Sequence, residues 1–144
     1  MASTSIPTSA WVLNEEITTG VLGVIRKYAS TRVEVERDVD YSVTGEGHEW
    51  VEGVGATIEV VGEAPVEPVR DLLRNNGFRL IDTISNTIEE GDDYKEWEVG
   101  EKWEKIVHAS NGVTILIQVD LVYEVDGRGV ERLVNASVYP VMNT

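Results

Sequence analysis

The sequence predicts an α+β fold: a mainly antiparallel sheet of about six strands, closing in a C-terminal four-strand meander, with two helices packed on it. Three observations predict it. Val, Ile and Thr (23, 10 and 11 residues) outnumber the 8 Leu, the bias of a sheet, because β-branched side chains suit a pleated surface. Two stretches repeat apolar residues at three- and four-residue spacing, while most of the remainder alternates with period two. Asn111-Gly112 and Asp126-Gly127 are hairpin dipeptides that supply positive φ without steric cost.

Residues 1–10 (MASTSIPTSA) are mostly small and polar and contain Pro7, which predicts an extended N-terminal arm ahead of a single domain over 11–144. Leu13, Ile17, Val21, Val24, Ile25 and Tyr28 then recur at helical spacing. With Asn14 as cap, Glu15 and Glu16 in the first turn and Arg26 and Lys27 in the last, they predict a helix over 14–29. Gly20 and Gly23 cost it about 1 kcal/mol each relative to Ala, which suits a helix with a closely packed neighbour. From Thr31 the period changes. Val33, Val35, Val39, Tyr41 and Val43 alternate with Arg32, Glu34, Glu36, Asp38 and Asp40, a half-buried strand. Arg37 breaks the alternation, which predicts a bulge or an edge position from which its guanidinium snorkels, the alternative being a buried guanidinium that binds a carboxylate or phosphate.

Residues 44–56 (TGEGHEWVEGVGA) contain four glycines and predict a loop or a glycine-broken hairpin. Ala56–Val61 reads as a short strand. Pro65, Pro68, Val69, Leu72 and Leu73, followed by Asn75, Asn76 and Gly77, predict a helix over 67–75 with proline in its first turn. Phe78–Ile88 alternates imperfectly. Residues 94–108 place Trp97, Val99, Trp103 and Val107 on one parity, although Trp103, Ile106 and Val107 also fit a helical turn, so this stretch reads as strand or as partly helix. Val113–Val125 alternates throughout, and Val130–Val141 is a last strand whose Pro140 suits an edge or a strand end.

Composition removes several classes of function. Twelve basic against 26 acidic residues give a formal net charge of −14, which repels phosphates and argues against direct nucleic-acid binding. The absence of Cys excludes thiol catalysis and thiolate-bound zinc. No apolar run approaches the ~18 residues of a membrane span, and residues 1–10 lack the pattern of a signal peptide. The 18 Glu and 8 Asp against only 4 Lys fit either a salt-loving host or a chain that meets a basic partner.

Candidate chemistry is sparse. His48 lies in Gly47-His48-Glu49-Trp50, where a His beside a Glu could form a general acid/base pair or half a metal site, but neighbours on an extended chain point in opposite directions. Neither G-x-G-x-x-G, nor a P-loop, nor G-x-S-x-G occurs. Glu34, Glu36 and Arg37 in VEVER are similar to the acidic start of triphosphate-tunnel enzymes, yet the lysine expected two positions later is Asp38. Asp82, Asn86, Gln118 and Asp120 interrupt strand patterns and are expected on the solvent face of a sheet, with the lining of a pocket as the alternative. Glu89, Glu90, Asp92, Asp93, Glu96, Glu98, Glu101 and Glu104 crowd one hairpin, also as a solvated face. Trp97 and Trp103 are expected in the core or as cross-strand partners, whereas Trp50, among glycines, suits either an interface anchor or a ring packed back over its own sheet. No catalytic, cofactor-binding or metal-ligating residue is assigned.

The function expected by this reasoning is a non-enzymatic assembly subunit, with Ser5, Ile6, Pro7, Trp11, His48, Trp50 and Val54 as interface residues. Its expected partners are further copies of itself and other structural proteins, with no membrane and no small-molecule substrate. The order of a helix (Asn14 to Ala29), strands, a second helix (Glu67 to Asn75) and a closing meander resembles the small tail-terminator or tail-completion proteins of tailed viruses. That resemblance covers nearly the whole chain at the level of topology. It implies a ring, commonly hexameric, at the top of a tail, located in the virion or the host cytoplasm, here with a high-salt host. Two alternatives stand beside it: an acidic protein that binds a basic partner or mimics nucleic-acid charge, and a small enzyme or ligand-binding domain using the His48 loop.

Overall fold

Two helices and six strands follow one another as α1 (Thr8–Ile25), β1 (Arg32–Gly45), β2 (His48–Val61), α2 (Glu67–Asn75), β3 (Arg79–Glu90), β4 (Lys95–Ser110), β5 (Val113–Val125) and β6 (Glu131–Asn143). The computed structural model describes residues 6–28, 31–45, 48–91, 95–110 and 112–143. Expectations placed on Ser5, Asp92, Asp93 and Asn111 lie outside the described residues, as do those for the side chains of His48, Trp50, Val54, Glu89 and Glu90. The strands form one sheet in the order β1-β2-β6-β5-β4-β3, with every neighbouring pair antiparallel. β3 to β6 are thus the expected four-strand meander, and β2 joins it through β6. The fold is α+β.

Alternation decides which face is inside. On β5, Ile115, Ile117, Val119, Leu121 and Tyr123 are buried, and they meet Ile58 and Val60 of β2, Leu133 and Val138 of β6 and Trp103 of β4. Both helices cover this face, α1 with Ile17, Val21, Leu22 and Ile25 and α2 with Val69 and Leu73. The helices touch where Gly20 of α1 meets Leu72 of α2, 3.2 Å from the position a Cβ would occupy, so the glycine does mark a close neighbour.

Helix α1 starts earlier than expected. Pro7, extended at φ −68° and ψ 152°, opens it, and Ala10 is fully buried, so the arm does not extend over residues 8–10. The polar Thr8 and Ser9 obscure the start, but Ala10 extends the buried stripe through Asn14, Ile17 and Val21 at helical spacing. Asn14 is therefore no cap. It is buried within the helix, and its Nδ2 donates to the Val138 carbonyl at 3.3 Å. The helix ends at Ile25 and Arg26 to Tyr28 form a turn, four residues short of the expected end.

Among the strands, the Gly-rich segment resolves as the hairpin, not the loop: β1 runs to Gly45 and β2 starts at His48. Lys95–Ser110 is strand throughout, and the neighbours Ile106 and Val107 that mimic a helical turn sit at a register shift between Ile106 and His108. Asn111-Gly112 gives a positive φ at Gly112 (77°), but at the second dipeptide it is Gly129 (82°), not Gly127, that turns left-handed. There Asp126 accepts from the backbone N–H groups of Arg128 and Val130, which holds a longer loop closed and keeps its carboxyl below the ordinary carboxylate range. Pro140 lies within β6 opposite Ile117, beyond Val138, where the ladder to β2 has ended and no N–H is needed on that side.

That ladder is short. β2 pairs with β6 only over Ala56–Glu59, whereas β1 and β2 pair from Arg32–Val61 to Gly45–His48. The hairpin therefore runs on past the sheet as a two-stranded ribbon. At its base, Gly55 leaves no room for a side chain, because a Cβ would stand 2.5 Å from the Tyr139 Cβ and 2.8 Å from the Val138 carbonyl oxygen. Gly100 on β4 is the opposite case, with nothing within 4 Å of its Cβ position. In urea titrations Gly55→Ala is expected to cost about 1–3 kcal/mol through overpacking, whereas Gly100→Ala leaves stability unchanged or raises it by up to about 1 kcal/mol.

Candidate functional site

Two places concentrate polar or exposed side chains: a closed ionic cluster under α2 and an open surface on the outer face of β3 to β5. The cluster is built on Arg70, which α2 directs at the sheet. Its Nε donates to both oxygens of Glu101 at 3.1 and 3.0 Å, Nη1 donates to Glu67 at 2.8 Å and Glu131 at 2.7 Å, and Nη2 donates to Glu101 and Glu131, each at 2.7 Å. Glu101 also accepts from Trp103 Nε1 at 3.0 Å and the Tyr123 hydroxyl at 2.6 Å. The Arg70 guanidinium stacks over the Tyr123 ring at 5.0 Å, and Arg74, which pairs with Glu67, stacks over Trp103 at 5.6 Å.

Electrostatics follow from the geometry. Burial pushes the Glu101 carboxyl up, but the hydrogen bonds from Arg70, Tyr123 and Trp103 outweigh it and hold it below its ordinary value. Glu67 is lowered by the hydrogen bonds from Arg74 and Arg70. Burial, reinforced by the Glu101 carboxylate, raises the Tyr123 hydroxyl, and the hydrogen bond to Glu131 leads the causes that raise Arg70. All five guanidinium N–H donors are engaged, so Arg70 has no donor left for a substrate anion. The cluster fastens α2 to β4, β5 and β6.

The expected acidic face therefore loses Glu101, which is buried on the inner side between Val99 and Trp103. The parity of β4 is the signal that could have placed it there, since Glu101 is odd-numbered like its apolar neighbours. Arg70 gave no comparable sign within a nine-residue helix. Arg37, by contrast, does sit at a bulge, between Glu36 and Val39 on an edge strand, and reaches Glu15 of α1 at 2.8 Å. Trp103 is buried in the core and Trp97 packs against it, as expected.

The outer face brings Asp82 and Asp120 together. The register sets Asp82 of β3, Lys102 of β4 and Asp120 of β5 side by side. In the next row Ile84 and Val122 flank Gly100, and the missing side chain opens a cavity of about 250 Å³ over an apolar floor, with the two aspartates and Lys102 along its side. Gln118 lies on this outer face as expected but is buried there rather than solvated, because its Nε2 donates to Tyr139, whose hydroxyl donates to Asp120 at 2.5 Å. Asn86 is exposed on β3. A second cavity, of about 230 Å³, is charged, with Glu63, Glu96, Glu124 and Asp126 facing Arg128 and Arg132.

β3 itself is uncovered. It is an edge of the sheet, every residue from Arg79 to Thr87 is exposed, and Leu80, Ile81 and Ile84 are 48%, 43% and 59% exposed. Its imperfect alternation reflects this, since neither helix covers it and no face is selected to be apolar. Of the expected interface residues, Ile6 packs against the core, Pro7 and Trp11 are exposed on or beside the first turns of α1, and His48, Trp50 and Val54 fall together on the β2 side of the ribbon. His48 is thus a strand residue, not a loop residue, with Gly45 as its pairing partner. Among the described residues, no group of three His, Cys, Asp or Glu could hold a metal ion, and no helix is long and apolar enough to cross a membrane. Compared with known proteins, the chain matches no family model, no curated protein and no solved structure.

The Arg70 cluster sets an acid limit on stability. Because the folded pKa values of Glu101 and Glu67 are lowered from 4.5, their contribution is present above about pH 4.5 and is lost as pH falls through the lower folded values. Thermal denaturation between about pH 7 and pH 3 is expected to show this loss, and Glu101→Gln to flatten it. Arg70→Leu, which strands Glu101 in the interior, is expected to cost about 3–5 kcal/mol at neutral pH.

Proposed function

We propose that the protein is a non-enzymatic assembly subunit, a homo-oligomer or a component docked in a larger structure. The observation that carries this reading is the β1–β2 ribbon, which continues past the last β2–β6 pair at Ala56–Val138 with no third strand beside it among the described residues. A two-stranded ribbon alone is marginal in water, so it gains most from a neighbouring molecule, and His48, Trp50 and Val54 all lie along it. Ribbons and edge strands are a common way for small domains to grip one another.

The tail-terminator or tail-completion role of a tailed virus is the specific form of the proposal. It rests on the element order α1-β1-β2-α2 followed by a four-strand meander. A ring at the end of a tail is the arrangement that this resemblance implies. High salt in the host fits the −14 charge, since dense counter-ions would screen copies of so acidic a chain from one another.

Light scattering behind a sizing column, at ~0.15 M and ~2 M KCl, tests the reading. A mass several times the 15.9 kDa of one chain, rising with salt and reduced by Trp50→Ala without a change in melting temperature, is expected. A 15.9 kDa species under both conditions would overturn self-assembly.

A further inference from the structure

The two edges of the sheet are unlike. β1 is guarded: over Arg32–Arg37 it alternates its valines with exposed Arg32, Glu34 and Glu36, it bulges after Glu36, and Arg37 ties it to Glu15. Charged side chains and bulges are the usual means of keeping an edge from pairing. β3 has bulges too, between Leu80 and Asp82 and between Thr87 and Glu89, but they frame a regular stretch from Asp82 to Thr87. In a chain with 26 acidic residues, that stretch carries one charge, Asp82, and it is exposed throughout.

We propose that this stretch of β3 pairs with the same stretch of a second copy, antiparallel, about a two-fold axis at Ile84. The inference rests on the assembly reading above and names its partner surface. A two-fold perpendicular to a sheet keeps each face on its own side, so the numbers of opposed residues must sum to an even constant, twice the number of the central residue. Centring on Asp82 would set two carboxylates face to face, and centring on Thr83 would oppose Asp82 to Ile84. Centring on Ser85 would oppose Ile84 to Asn86. Centring on Ile84 opposes Ile84 to Ile84, Thr83 to Ser85 and Asp82 to Asn86, which matches apolar with apolar, hydroxyl with hydroxyl and carboxylate with amide donor.

The neighbouring row supports the same centre. Ile84 is followed across the sheet by Gly100 and Val122, so the pairing makes one apolar row, Val122–Gly100–Ile84, continuous with its copy. A glycine inside a strand commonly marks the close approach of something else, and the open cavity over Gly100 lies beside the proposed axis. The contact is closed, because both copies use the same stretch of β3 about one two-fold axis, and the flanking bulges stop the pairing from slipping or lengthening.

The chain has no cysteine, so single-cysteine variants report the register cleanly. Opposed residues in an antiparallel pair have Cα atoms roughly 4.5–5.5 Å apart, within disulfide reach. Under mild oxidation Ile84→Cys is expected to form a covalent dimer rapidly, Thr83→Cys and Ser85→Cys slowly alone but rapidly when mixed, and salt to speed all of them. Ile84→Lys, at a site 59% exposed, is expected to halve the mass seen by light scattering while leaving the melting temperature unchanged. If assemblies persist but Ile84→Lys leaves their mass unaltered and Ile84→Cys links no faster than the exposed Arg128→Cys, the β3 pairing is wrong and the assembly reading survives. If the unaltered chain is a single copy at both salt concentrations and Ile84→Cys does not link, both fail.

Discussion

The position of α2 depends on one guanidinium. Arg70 sits over the inner face of the sheet with every donor engaged by a carboxylate, and those carboxylates come from three elements: Glu67 of α2 itself, Glu101 of β4 and Glu131 at the start of β6. A buried charge of this kind is costly to leave unpaired, so the helix cannot shift without exposing that cost. The connection into α2 is fixed accordingly. Ala64 and Val66 are fully buried, and the Ala64 carbonyl accepts from Leu133 N–H at 2.8 Å. With α2 placed, Leu72 meets Gly20 and the seat of α1 follows.

The outer side of the sheet obeys a different rule. No helix covers it, and its centre is held by side chains that satisfy one another, as in Gln118, Tyr139 and Asp120, or Thr57 and Ser137 across β2 and β6. Toward β3 this polar weave gives way to Ile84, Gly100 and Val122. Small, apolar and weakly charged, that corner is unlike the remainder of a strongly acidic surface, and the same contrast separates β3 from the charge-guarded β1.

Much of this was legible in the residues. Alternation located β5 almost to the residue, because its inner face is buried from Ile115 to Tyr123 and the apolar residues along it recur with period two. The second helix was equally clear, since Pro68 and Gly77 punctuate it. Where an element borrows its stability from elsewhere, the pattern fails. Ala10 reads as part of a polar arm because a small residue carries little apolar signal, and Asn14 reads as a cap although its amide serves a carbonyl 124 residues away. Glu101 was hidden for the same reason: its partner lies on another element, and only its parity betrays it. The polar residues Asp82 and Asp120 were singled out from the strands, but the space between them comes from Gly100, an absence that no local pattern announces.

The join between β2 and β6 has a further consequence, in time rather than space. Each turn of the meander brings strands together over a short loop, whereas Thr57 meets Ser137 across 80 residues and Asn14 meets Val138 across 124. Contacts that close long loops form late, since their entropic cost falls due before their packing rewards it. The meander from β3 to β6 is thus the part that can condense first, and the first third of the chain docks on a finished edge of it. Four residue pairs, Ala56–Val138 to Glu59–Asn135, are all the ladder that docking secures. On this argument the N-terminal helix and its hairpin are expected to join the molecule after the meander.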